Sequence, residues 1–235
     1  MITHEHGVQP AVVEIDPRFC QAGRMRPIKA IALALAALFA APAARAAAEV
    51  YRFDPVHTQI WFTADHQHFS HPQGRLRVKS GWFQFDEKDW SSGRVYIEID
   101  MTSADMGDAK WSEMVRSGQF LETERWPTAS FTSKSVEKKD DKNGVIHGDL
   151  TLHGATRPID VEFTVNRIGT DPYQFKQKAG FSAKAVLHRS DFGIKRYAEV
   201  VGENIELRFE IEGIRDRGAA AEEKPAAEEK KADGT

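Results

Sequence analysis

The sequence predicts an all-β, antiparallel, single-domain fold. Three observations lead there. Several segments alternate apolar and polar residues with period two, clusters of turn-forming residues separate them, and no helical segments alternate with the strands as parallel βαβ units require.

The clearest alternation lies in Val95–Met101, Ile159–Val165 and Ile205–Ile211. In the first, Val95, Ile97, Ile99 and Met101 share one face and leave Tyr96, Glu98 and Asp100 on the other. Such segments read as half-buried strands with one wet face. Shorter versions occur at Ile60–Ala64, Gly81–Phe85, Ser130–Ser133, Asp149–Leu152 and Gly180–Leu187. With Val50–Phe53 they give about eight or nine strands, a count that suits a sandwich or a barrel. Asp140-Asp141-Lys142-Asn143-Gly144 carries the Asn-Gly pair of a tight hairpin. Asp86–Gly93 and Gly169–Pro172 are loop-like. Only Asp105–Phe120 breaks the pattern: Trp111, Met114, Val115 and Gly118 fall at helical spacing, which predicts one or two short helical segments there.

The two ends differ from this central domain, assigned to residues 49–216. Residues 25–48 have the three parts of a secretory signal peptide: basic Arg26 and Lys29, an apolar run from Ala30 to Ala41, and small residues around Ala44-Arg45-Ala46. An uncleaved anchor is the alternative, but Pro42 and Arg45 cut the run short of the ~20 apolar residues a span requires. Residues 1–24 are polar and include Glu5, Glu14 and Asp16, so they read as a non-native extension with Met25 as the true start. The Ala/Glu/Lys-rich tail 217–235 has no large apolar residue beyond Gly218 and is expected to be disordered. The single cysteine, Cys20, precedes the apolar run. An exported domain of about 170 residues is therefore expected to be soluble and to rely on its own core without disulfides. A net charge of −3 gives no sign of a nucleic-acid partner.

Residues that could carry chemistry are few. His66, His68 and His71 are clustered, and His66 and His68 would share a face of a strand as metal ligands should. A third and fourth ligand are not evident, since Asp65 would point the other way. His188-Arg189-Ser190-Asp191 has the composition of a triad, but neighbours along a strand do not face one another, and a polar structural corner is the reading here. No nucleophile elbow, phosphate-cradling loop, dinucleotide fingerprint or zinc spacing occurs. The weight falls on binding, with no catalytic residue, metal or cofactor predicted.

The order of motifs resembles that of YceI-like proteins. Tyr51-Arg52-Phe53-Asp54-Pro55-Val56-His57-Thr58 resembles their opening Y-x-x-D-x-x-H-S, Phe62–His66 their F-x-x-x-H, and Gly81–Asp86 their G-x-F-x-F-D strand. Ser117–Leu121 with Trp126–Phe131 is similar to the S-x-D-F-F…Y-P-x-A-x-F stretch. Gly148-Asp149-Leu150-Thr151-Leu152-His153-Gly154-Ala155-Thr156-Arg157-Pro158 is close to G-D-L-T-L-x-G-V-T-K-P, the most specific run. Gly180–Ala183 and Arg189–Ile194 complete a series that spans nearly all of Val50–Gly213.

This resemblance implies a lipocalin-like antiparallel barrel, periplasmic export, and an apolar interior that holds a polyisoprenoid such as a polyprenyl phosphate or quinone tail. The inward candidates are Phe83, Phe85, Ile97, Ile99, Met101, Leu150, Leu152, Val161, Phe163, Phe181, Leu207 and Phe209, mixed with the small Ala183 and Ala185. His57, His66 and Arg189 are candidates for contact with a polar head group. One segment departs from the family: an Arg-Asp and a His-Leu become Trp111-Ser112 and Met114-Val115. Either the ligand is less charged or differently placed, or Trp111 and Met114 pack in the core. Burying about ten methylene equivalents at ~0.8 kcal/mol each gives roughly 8 kcal/mol before ordering costs, near micromolar affinity.

The expected function is therefore a soluble carrier or sequestering protein for an isoprenoid lipid or quinone, with transient membrane contact and a homodimer left open. Two alternatives stand beside it. One is a hydrolase or isomerase using His57 or His66 near the barrel mouth; the other is a metal-binding or redox accessory protein built on His66, His68 and His71.

Overall fold

Every alternating segment is a strand, and most are longer than the alternation alone marks. The computed structural model describes residues 48–218 and contains β1 (Glu49–Phe53), β2 (Gln59–His66), β3 (Gln73–Phe85), β4 (Arg94–Asp105), β5 (Thr128–Lys138), β6 (Asn143–Leu152), β7 (Ala155–Thr170), β8 (Gln177–His188) and β9 (Val201–Arg215). One helix, α1 (Ala109–Arg116), lies within the Asp105–Phe120 stretch whose spacing predicts helical segments. Two 3₁₀ turns, Trp90–Ser92 and Arg189–Phe192, complete the elements. The expectations for residues 1–24, for nearly all of 25–48 and for the tail beyond Gly218 fall outside the described residues.

All strand pairings are antiparallel and the sheet closes on itself, because β3 pairs with β4 as well as with β1 and β2. Nine strands occupy eight barrel positions. β1 pairs with Trp82–Phe85 of β3 and Gly213–Arg215 of β9, while β2 pairs with Gln73–Leu76 and Val201–Glu210 of the same two strands. β1 and β2 are thus the lower and upper halves of one wall position. Between them the chain leaves the sheet at residues 54–58. The result is a closed, lipocalin-like antiparallel barrel.

Alternation decides which residues fill it. Ile97, Ile99, Met101, Leu150, Leu152 and Val161 belong to one buried cluster, and Phe83, Phe85, Phe163 and Phe181 to another. The second closes around Trp90, whose ring centroid lies 5.3 Å from that of Phe85 and 5.5 Å from that of Phe163. This aromatic group packs at the lower end, below the α1 and Arg189–Phe192 segments that mark the upper end. The outer face is not uniformly wet. Val50, Trp82 and Tyr96 form a small buried cluster there, and burial together with Glu98 pushes the Tyr96 phenol up to about 12.

Two local expectations are corrected. The hairpin between β5 and β6 turns at 139–142 and not at Asn143-Gly144, which already pair within β6. The side chain of Asp140 accepts from the backbone N–H groups of Lys142 and Asn143, so an Asx turn does the work assigned to Asn-Gly. Trp111 and Met114 are not core residues; they are 40% and 44% exposed. Their helix is capped by Asp108, which accepts from Trp111 N–H at 2.9 Å, and is tied to β4 by Arg116 donating to the Ala104 carbonyl at 2.7 Å. The side of α1 facing the barrel is sealed by Ser112, which is buried and accepts from Met106 N–H.

Candidate functional site

The barrel interior is not packed solid. It holds two apolar lobes, a lower one of about 110 Å³ and an upper one of about 160 Å³. All twelve inward candidates border them. Phe83, Phe85, Ile97, Val161, Phe163 and Phe181 line the lower lobe, and Met101 and Leu152 the upper. Ile99, Leu150, Leu207 and Phe209 border both, so the lobes abut at a waist made by β4, β6 and β9. Lining residues that the sequence reading missed include Phe131, Ile146, Ile159, Ile211, Leu187 and Ile194. Ile159 and Ile211 are the end residues of the alternations Ile159–Val165 and Ile205–Ile211, on the same face as the chosen candidates, so that signal already includes them.

Titratable groups bordering this interior are Arg94 at the lower lobe and Asp65, His66 and Arg189 at the upper. His66 ends β2, and its ring lies 6.0 Å from that of Trp111 on α1. The Trp111–Ser112 segment singled out by its departure from the family thus borders the upper lobe. Arg189 is 2% exposed and its guanidinium is engaged by backbone carbonyls. Nε donates to Gly202 at 3.0 Å, Nη1 to Ile194 at 2.9 Å and Arg196 at 2.8 Å, and Nη2 to Val201 at 2.9 Å. Four of its five donors are thus used in fastening the Arg189–Gly202 segment, and one remains on Nη2. The polar-corner reading of this stretch agrees with its geometry: a 3₁₀ turn ending at Gly193, which has a φ of 78°.

His57 corrects the expectation that places it at the barrel mouth. It lies on the excursion between β1 and β2, on the outer wall, and borders neither lobe. Asp54 holds this excursion: its Oδ1 accepts from Val56 and His57 N–H, its Oδ2 lies 2.8 Å from His57 Nδ1, and its own N–H donates to the Glu212 carbonyl. The hydrogen bond to Asp54 raises the His57 imidazole above its ordinary value. Burial works against the Asp54 carboxylate, but the bonds from His57 and the two backbone N–H groups outweigh it and keep the group below the usual carboxylate range.

The His66, His68 and His71 ligand set does not assemble. β2 ends at His66, and Gln67 and His68 turn with positive φ of 52° and 57°, which destroys the shared strand face. Asp65 lies 3.0 Å from His68 Nδ1 and 3.8 Å from His71 Nε2, serving as the anchor of that turn. Among the described residues, the side chains that could converge on a metal ion are Asp54, His57 and Glu212 on the outer wall. Lys178 Nζ already lies 3.3 Å from Glu212 there.

With this geometry in view, the comparisons agree on one family. The model of the YceI-like domain matches residues 51–213. A protein YceI from Escherichia coli O17:K52:H18 is 35% identical over 177 residues, covering 74% of this chain and 92% of its own. A UPF0312 protein of Shewanella baltica is 34% identical over 184 residues, covering 78% and 96%. Among solved structures, Burkholderia cenocepacia BcnA superposes with a TM-score of 0.60 at 18% identity, over 68% of this chain and 98% of that one. A polyisoprenoid-binding domain from Saccharophagus degradans, implicated in plant cell wall breakdown, gives 0.55 at 15% identity, over 71% and 98%. The structural likenesses carry the barrel fold, and the match over residues 51–213 together with the 35% identity establishes that the chain belongs to the YceI-like family.

Proposed function

We propose that this protein is a non-catalytic carrier or sequestering protein that holds an isoprenoid lipid, a polyprenyl phosphate or quinone tail, inside its barrel in the periplasm. The two-lobed apolar interior is the observation that supports this reading most. A long, branched hydrocarbon needs an elongated apolar enclosure and no chemistry from its host. The lobes meet at a waist and are lined almost wholly by aliphatic and aromatic side chains. The likeness in fold to the Saccharophagus polyisoprenoid-binding domain supports the same ligand class. The chain sits with its apolar length across the Ile99–Leu150–Leu207–Phe209 waist, and its head group lies at the upper end beside His66 and the remaining Arg189 donor. His57 takes no part.

Export rests on the signal pattern of residues 25–48, and a soluble apolar pocket gives that export a purpose between two membranes. Transient membrane contact is assigned to the upper end. There Phe69 is 87% exposed, Trp111 borders the upper lobe and Met114 of the same helix is exposed, an arrangement of apolar and amphipathic side chains suited to a lipid surface.

Native mass spectrometry of protein purified without detergent, followed by organic extraction, tests the reading. Recovery of a prenyl lipid at near-stoichiometric amounts is the expected result. An empty barrel carrying a stoichiometric transition metal would overturn it.

A further inference from the structure

The barrel wall has a seam with no ladder. β7 is paired with β6 from Ala155 to Thr164, but with β8 only from Glu162 onward. β8 in turn is paired with β9 up to His188. Continuing the register of the Glu162–Lys184 rung, residues 158–161 of β7 and Ala185–His188 of β8 face each other without paired rungs, over about 13 Å of strand at ~3.3 Å per residue. Pro158 lies within this free stretch, the kind of place where a strand tolerates a residue without an N–H.

An open groove of about 740 Å³ lies over the seam. Three residues separate it from the interior at the level of the waist: Ile159 borders both the groove and the lower lobe, Leu187 the groove and the upper lobe, and Leu207 the groove and both lobes. The inward residues of β8 beside it, Ala183 and Ala185, are small. Phe192 fills the upper part of the seam. It follows β8 directly in the Arg189–Phe192 turn, is 2% exposed, packs with the interior cluster and also lines the groove. Its backbone carbonyl lies 2.9 Å from His153 Nδ1 on the β6–β7 turn, so the turn spans the seam at its top. At the bottom the last rung, Glu162 with Lys184, adds an exposed ion pair at 3.0 Å.

We infer that the β7–β8 seam is a side port through which the apolar chain passes between the surface and the waist of the cavity, with Phe192 as its plug. Parting β6 from β7 would break a ladder of ten paired positions. Widening β7 from β8 above Glu162 breaks no ladder hydrogen bond; it needs the movement of the Phe192 side chain and release of the single hydrogen bond between its carbonyl and His153, while Arg189 can stay in place. The inference rests on the carrier reading.

The test uses the full chain with Cys20→Ser, and Asp160→Cys with Val186→Cys placed on the two lips of the port. A short bis-maleimide bridges the pair, and N-ethylmaleimide on the same variant is the control. Each form is loaded with a geranylgeranyl chain bearing an anthraniloyl fluorophore, and its transfer to phosphatidylcholine vesicles is timed. Bridging is expected to slow transfer at least tenfold relative to the control. Phe192→Leu, which keeps the core apolar while shrinking the plug, is expected to speed it at least threefold. Equal transfer rates for the bridged and control forms overturn the port and leave the carrier reading intact. Failure of every form, wild type included, to take up the probe overturns the carrier reading and the port with it.

Discussion

His57 Nδ1 lies 2.8 Å from Asp54 Oδ2, and this pair clasps the outer excursion that splits one barrel position into β1 and β2. The pair couples stability to pH. His57 is raised in the folded chain, chiefly by its bond to Asp54, so its stabilisation is complete below the unfolded imidazole value of about 6.5 and fades as the pH rises through the higher folded value. Asp54 is lowered, so its share stands above the unfolded carboxylate value of about 3.9 and fades as the pH falls through the lower folded one. The denaturant midpoint of the wild type should therefore exceed that of His57→Gln most clearly near pH 5 to 6, about where both groups are charged, and the difference should shrink toward pH 9. Midpoints measured across that range check this, and a constant difference would contradict it.

Arg189 should matter more for stability than any exposed ion pair. Replacing it by Met leaves the carbonyls of Ile194, Arg196, Val201 and Gly202 without their shared donor. A buried acceptor left unsatisfied costs roughly 1–3 kcal/mol, and some of these will recover water, so Arg189→Met should destabilise by about 3 kcal/mol. Arg189→Lys keeps the charge but cannot span four carbonyls with a planar fork, and should fall between. Equilibrium urea unfolding orders the three. A loss below about 1 kcal/mol for Met would show that the segment is held by other contacts.

Gly81 makes a sharper steric prediction. Its φ is +145°, and a Cβ there would run into the Tyr96 carbonyl oxygen and stand 2.9 Å from Ile97 Cα on the adjacent strand. Both obstacles are backbone, so no side-chain rotation relieves them. Gly81→Ala should cost about 2 kcal/mol or more, read as a lowered melting temperature with an unchanged far-ultraviolet spectrum. A neutral effect would show that β3 and β4 can slide apart at this level.

The strands were legible where apolar side chains alternate without interruption, as in Ile97-Glu98-Ile99-Asp100-Met101. They were foreshortened where the inward position is glycine. In β6 a Cβ on Gly144 would come within 2.7 Å of the Phe163 ring, and one on Gly148 within 2.6 Å of Phe131 Cε2. Two inward positions are thus given up to neighbouring rings, which left only Asp149–Leu152 to be read. The twelve inward candidates follow from period two, which marks part of the lining and not all of it. His57 does not, because the exit of the chain between β1 and β2 depends on pairings with β3 and β9 far along the sequence. For the same reason the seam between β7 and β8 leaves no local mark beyond Pro158: each strand alternates normally, and only their register shows that pairing stops at Glu162.

The waist offers the most direct test of ligand binding. Leu207 borders both lobes, as do Ile99, Leu150 and Phe209, so a bound chain that occupies both lobes passes these four side chains. Leu207→Trp would add an indole where the bound chain must cross from one lobe to the other. Overpacking of this kind costs about 1–3 kcal/mol, which a barrel of this size should survive, so loss of ligand can be separated from loss of fold. The fraction of ligand-bound protein in native mass spectra should drop at least tenfold, while circular dichroism stays that of a β-barrel. Retention of a full-length prenyl chain by a folded Leu207→Trp protein would mean that the ligand occupies one lobe only, and that the waist is packing and not passage.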